Sequence, residues 1–269
     1  MTFNDTCNNI LTRLRVAPLI ETKRWQSTDV NKHALRMKEL YNYLFEYVVP
    51  DDLETLREEV EPYLPWADNH FEKERVSGHP INPGTTYKEW RYPASAAEHT
   101  DFEFSHSYAE RYWPQYAGKF PGGQLGISTI QAGRVEPHQG IRHSYGSLAD
   151  VVALLYEDPF TRQAYIPIFF PEDLTAARKK ERIPCTLGYH FLCREGQLHI
   201  FYPMRSCDFT RHFRDDVYLT ARLLLWVLGQ LQFQAKRRGD AEQEVFWENI
   251  KPGTLRMNIG SLHCFESDL

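Results

Sequence analysis

The sequence predicts an α+β fold: one domain, residues 1–269, with a mixed β-sheet core flanked by helices. Three observations carry that expectation. Two short β-rich runs, 186–193 and 197–203, are separated only by Arg194-Glu195-Gly196, a hairpin signature. Several other segments carry apolar residues at helical spacing. No internal repeat or low-complexity linker divides the 269 residues, of which 42% are apolar, enough for a sizeable core.

In chain order, residues 4–14 and 30–49 read as amphipathic helices, and 51–63 as a charged helix closed by Pro65. Residues 65–100, which include SGHPINPGTTYKEWRYP, read as an ordered irregular insertion. Helical patterning returns at 104–116 and 147–156, and 164–170 reads as a buried strand. After the hairpin, 215–236 is the longest helix. It is apolar over most of its circumference, as suits the core or a subunit interface. Residues 255–265 close the chain as a strand.

Composition removes several function classes. With 31 basic and 36 acidic residues the net charge is −5, so no global basic field draws the chain to nucleic acid. The five cysteines are odd in number and lack paired CxxC spacing, which speaks against a disulfide framework or a metal site and for a reducing cytoplasm. No apolar run approaches the roughly 18 residues of a membrane span, and the N-terminus is polar, unlike a secretory signal.

The chemistry-bearing residues gather around the hairpin. Cys185 opens it and is a candidate thiolate nucleophile if a cation lies nearby. Arg205-Ser206 offers a guanidinium fork and a hydroxyl that match phosphate oxygens. Asp208 and Asp216 flank a cationic loop, and His263 stands in GSLHCF. Each alone has a bland reading as a buried small side chain, a surface ion pair or a satisfied core histidine.

Their order and spacing resemble the thymidylate synthase family, most closely its phage-type deoxycytidylate hydroxymethylase branch. EDPFTR (157–162), PCT (184–186), MRSCD (204–208), FRDDV (213–217) and NIGSLH (258–263) carry the resemblance, which is weak before residue 158. It implies a thymidylate synthase-like fold and a homodimer acting on a small nucleotide with 5,10-methylenetetrahydrofolate. Cys185 would add to ring carbon 6 of a pyrimidine, making carbon 5 nucleophilic toward the folate methylene. Arg205 and Ser206 would hold the 5′-phosphate, with Arg162 reaching across to the partner's phosphate. A second family arginine beside Arg162 is replaced by Gln163. Asp208 matches the acid that binds the pterin, and His263 the residue that bonds the sugar 3′-hydroxyl. Phe265 stands where the family has a tyrosine that contacts the sugar.

Asp216 matches the position that reads the base. Synthases acting on uracil carry asparagine there, whereas an ionised carboxylate only accepts hydrogen bonds and so suits the 4-amino group of cytosine. Asp215 is the rival for this role. Met204 and Thr186 also follow the hydroxymethylase pattern. The chain ends six residues after His263, whereas thymidylate synthases continue into a folate-covering tail. Water would then meet the methylene group, giving a hydroxymethyl rather than a methyl product.

In the N-terminal half the resemblance is looser. PLIETKRW (18–25) resembles the segment preceding the family's catalytic-glutamate helix, which suggests Glu39 as the acid/base. TTYKEW (85–90) offers Tyr87 or Trp90 as a wall for the folate, SHSYAERYW (105–113) offers Tyr108, and Arg24 and Arg75 are candidates for a further phosphate arginine. The expected activity is folate-dependent hydroxymethylation of dCMP in preference to CMP. A dCMP methylase, a thymidylate synthase acting on dUMP and a non-catalytic nucleotide-binding relic are the alternatives.

Overall fold

The computed structural model describes residues 2–22, 36–82, 84–91, 106–114, 146–171, 173–174, 177 and 183–269. The elements follow in the order α1 (Phe3–Val16), β1 (Leu19–Glu21), β2 (Arg36–Val48), α2 (Leu53–Val60), α3 (Trp66–His70), α4 (Tyr108–Tyr112), α5 (Leu148–Glu157), β3 (Tyr165–Pro167), β4 (Gly188–Arg194), β5 (Gln197–Asp208), α6 (Phe213–Arg238), α7 (Ala241–Asn249) and β6 (Lys251–Phe265). The strands form one mixed sheet in the order β1-β2-β6-β5-β4-β3, so the class is α+β as expected. The chain packs as two compact units. One comprises Met1–Pro62, Val152–Tyr165 and Cys185–Leu269, the other Tyr63–Val151 and Ile166–Pro184.

The first unit holds the hairpin and its neighbours. Glu195 (φ 52°) and Gly196 (φ 73°) are both left-handed, the conformation that lets a two-residue turn follow the twist of its strands. β5 then runs parallel to β6, and the connection is made by α6 and α7, because parallel strands need a long crossover. α6 extends beyond the expected bounds and is buried as expected, with Val217, Leu224, Val227 and Leu231 against the core. It ends at Gly239, left-handed at φ 67°, behind Lys236, Arg237 and Arg238, which suit the negative end of the helix. A ring cluster of Phe3, Phe45, Tyr47 and Phe213 joins α1, β2 and α6.

One expectation fails here. The segment read as a helix at 30–49 is strand β2 from Arg36 onward, and 30–35 lie outside the described residues. Its apolar residues do recur at helical intervals, yet a long antiparallel ladder with β6 decides the outcome. Burial then alternates strand-wise: Phe45 and Tyr47 are buried while Leu44, Glu46 and Val48 are exposed. Helix α7 was not anticipated, since its apolar residues do not form a stripe; Asp240 caps it by accepting from the Gln243 N–H.

The second unit contains the described part of residues 65–100, expected to be irregular, and there short helices and turns are found. Trp66–Arg75 is helical, finishing in a π-helical turn at Phe71–Arg75, and Thr86–Glu89 forms a 3₁₀ turn. A polar core explains the order. The carboxylate of Glu74 accepts from the Thr86 N–H (2.8 Å) and meets His70 Nδ1 (2.9 Å), while Arg75 Nε donates to His70 Nε2 (3.0 Å). α4 is shorter than the expected helix at 104–116, opening at a Ser107–Glu110 capping box. No helix among the described residues is long and apolar enough to cross a membrane.

Candidate active site

The β4–β5 ladder continues past β4 to the candidate nucleophile. The Leu187 N–H donates to the Pro203 carbonyl (2.9 Å), Thr186 pairs with Met204, and the Arg205 N–H donates to the Cys185 carbonyl (2.8 Å). Thr186 is fully buried, its hydroxyl 2.9 Å from that of Tyr202. This backbone frame sets the guanidinium of Arg205 beside the sulfur, with Nη2 3.6 Å from Cys185 Sγ. A fixed cation at that distance stabilises negative charge on sulfur, the form that attacks carbon. Cys185 is the only one of the five cysteines that is not buried. Burial raises the proton affinity of Cys7 and Cys264, each pushed up to about 11, and of Cys193 and Cys207.

The end of β5 brings three further candidates together. The parallel register sets Ser206 beside Ser261 and Asp208 beside His263. Asp208 is buried, and its Oδ1 accepts from the Thr210 N–H (3.1 Å), the Thr210 hydroxyl (3.0 Å) and the Arg211 N–H (3.2 Å). Arg211 lies 3.6 Å from Oδ2 and forks onto Asp268. Burial raises the proton affinity of Asp208 against the pull of His263 and these bonds. Burial likewise lowers that of His263, despite the neighbouring Asp208 carboxylate, so the imidazole is held neutral.

Glu39 reaches this cluster from β2, not from a helix as expected. The antiparallel register places it opposite His263, and its Oε1 accepts a hydrogen bond from the Ser261 hydroxyl. Asp216 sits in the first turn of α6, half-buried, with Oδ2 3.6 Å from Cys207 Sγ, whose thiol donates. Its rival Asp215 is buried, 3% exposed.

Seven candidates therefore belong to the first unit: Glu39, Cys185, Arg205, Ser206, Asp208, Asp216 and His263. Arg162 belongs to it as well, exposed at the surface, with its carbonyl accepting from His190 Nε2 (3.1 Å). Tyr87 and Trp90 lie in the second unit, on and just after the 3₁₀ turn; Trp90 is buried, its ring 6.0 Å from that of Trp66. Arg75 and Tyr108 are there too, the guanidinium 4.0 Å above the tyrosine ring. Arg24 falls outside the described residues. Sequence reasoning missed Ser261, Cys207 and Arg211, although each stands within a quoted motif or beside one. The parity of NIGSLH, with Ser261 two residues before His263 on one strand face, was the available signal.

No family model matches the chain, and no curated protein resembles it in sequence. Among solved structures it is similar to the thermostable thymidylate synthase A from Bacillus subtilis. The match covers 98% of this chain and 80% of that one, with a TM-score of 0.59 and 13% identity. At that identity the likeness is one of architecture: the chain has a thymidylate synthase-like fold.

Proposed function

We propose that the protein transfers a one-carbon unit from 5,10-methylenetetrahydrofolate to carbon 5 of a cytidine nucleotide, dCMP before CMP, and delivers a hydroxymethyl product. The contact of Arg205 Nη2 with Cys185 Sγ at 3.6 Å carries the reading, because it joins a half-buried nucleophile to a cation suited to anion binding on the same hairpin. In this mechanism the sulfur of Cys185 bonds to ring carbon 6, and the electron pair moves toward carbon 5. Arg205 and Ser206 hold the 5′-phosphate, with Arg162 of a second protomer completing the grip. His263 takes the 3′-hydroxyl, and Glu39 moves the proton at carbon 5.

Asp216 reads the base. The Cys207 thiol donates to it, so its carboxylate is arranged as an acceptor, which suits an amino-bearing ring. Thr186 and Met204, which follow the hydroxymethylase pattern, are buried as a pair beside Cys185 and Arg205. When bound, the folate supplies the methylene carbon. Asp208 fits its pterin: Oδ1 is committed to the turn, and Oδ2 keeps acceptor capacity. A homodimer accords with β2, where Tyr41 (84% exposed), Leu44 (69%) and Val48 (70%) present apolar surface.

Tritium release from carbon 5 of dCMP, CMP and dUMP tests the reading, with the products identified. Release from dCMP that vanishes in Cys185→Ser, with hydroxymethyl-dCMP formed, is the expected result. Release from dUMP alone would make the protein a thymidylate synthase. Methyl-dCMP as product would make it a methylase, and no release from any nucleotide would leave a binding relic.

A further inference from the structure

Three adjacent strands place four side chains in series. Glu39 Oε1 on β2 accepts from the Ser261 hydroxyl on β6; Ser261 Oγ lies 3.5 Å from His263 Nδ1, and so does Ser206 Oγ on β5. The Ser261 carbonyl oxygen is a third neighbour of that nitrogen, also at 3.5 Å. The direction of the bonds follows from proton counting. A serine hydroxyl has one proton, and here it goes to Glu39. Ser261 Oγ can then only accept from the histidine, and a carbonyl oxygen only ever accepts. Nδ1 therefore carries the hydrogen, a tautomer assigned from these partners, and Nε2 presents a lone pair.

We infer that Ser261 is a positioning residue that couples sugar recognition at His263 to the acid/base carboxylate of Glu39. This rests on the functional reading above. A sugar hydroxyl that donates to Nε2 polarises the imidazole, strengthens Nδ1–H toward Ser261, and strengthens the Ser261 bond to Glu39. Hydrogen bonds in such a series reinforce one another. The 3′-hydroxyl is then felt in turnover and not only in binding.

The test compares dCMP with 2′,3′-dideoxycytidine 5′-monophosphate in steady-state tritium release, for the wild type and for Ser261→Ala and Ser261→Thr. In the wild type, loss of the 3′-hydroxyl lowers kcat about tenfold, the scale of one lost hydrogen bond. Ser261→Ala suffers that fall already on dCMP, and its two nucleotides then differ in KM alone. Ser261→Thr, which keeps the hydroxyl, restores the wild-type pattern. If the dideoxy penalty on kcat is the same in Ser261→Ala as in the wild type, or is confined to KM in the wild type, the coupling is refuted while the functional reading stands. The dideoxy arm needs no variant, so it decides even where a substitution fails to fold. A wild-type protein that releases no tritium from any nucleotide overturns the functional reading, and this coupling with it.

Discussion

Gly260 offers a direct test of how closely the Cys185–Arg205 contact depends on the sheet. It lies on β6 between Ile259 and Ser261, which pair with Met204 and Ser206 on either side of Arg205. A Cβ built there would stand 2.9 Å from the Arg205 carbonyl oxygen and 3.6 Å from the Met204 carbonyl oxygen. The obstacle is backbone, which cannot rotate aside, so Gly260→Ala must push β5 away by several tenths of an ångström. Overpacking of this kind costs about 1–3 kcal/mol, which lowers Tm by roughly 2–12 °C in a chain of this size. The displaced residue is also the one whose N–H holds the Cys185 carbonyl and whose guanidinium meets Sγ, so turnover should fall about tenfold or more. Gly229→Ala is the control. Its Cβ in α6 meets nothing within 4 Å, and it should gain roughly 0.5–1 kcal/mol from helix propensity. Thermal unfolding and tritium release on both variants decide the matter. Wild-type melting and turnover in Gly260→Ala, or an equal loss in Gly229→Ala, would refute the reasoning.

Asp216→Asn removes the acceptor-only group and leaves the Cys207 thiol facing an amide. The ratio of kcat/KM for dCMP over dUMP should drop by about 10–100-fold, and an unchanged ratio would remove Asp216 from base selection. Stability should also depend on pH through two desolvated histidines, His263 buried and His70 half-buried. Burial holds His70 and His263 below the ordinary value of 6.5, so the unfolded chain binds the extra protons as pH falls through that value. Their contribution is present above pH 6.5 and is lost below it, down to each folded-state value. It amounts to about 1.4 kcal/mol per pH unit for each group. Asp208, raised above 3.8, acts with the opposite sign over its own lower window. Melting curves from pH 7.5 to 5.5 should fall in the wild type and fall less in His70→Gln; equal slopes would contradict this assignment.

What the sequence revealed about the site was local. The Glu195-Gly196 turn pins His190 opposite Phe201, so a reader could place Cys185 near Arg205. The final adjustment was hidden: the ladder shifts by one residue before Thr186 meets Met204, and this shift sets Arg205 against Cys185. The pairing of Ser206 with Ser261 and of Asp208 with His263 spans two helices and could not be read from spacing, since nothing in either strand encodes a parallel register. Glu39 shows the opposite case. The residue was picked out on a helical premise that proved wrong, and it reaches His263 through the β2–β6 ladder, because pairing overrode an apolar period that suits either element.

The parallel pairing also explains why so many functional groups share one end of the sheet. β5 and β6 run the same way, so Asp208 and His263, near their C-terminal ends, lie side by side. The crossover must leave from that end, and α6 therefore begins just beyond it, with Asp216 in its first turn, where the helix dipole favours a carboxylate. β2 runs antiparallel to β6, so its early residue Glu39 arrives at the same end. β4 is antiparallel to β5, and the chain entering it delivers Cys185 there as well. An antiparallel β5–β6 pair would carry Ser261 and His263 to the far end, away from Cys185 and Arg205. The convergence is thus a consequence of topology, and the side chains at 39, 185, 205, 208, 216 and 263 occupy positions that the sheet order alone makes neighbours.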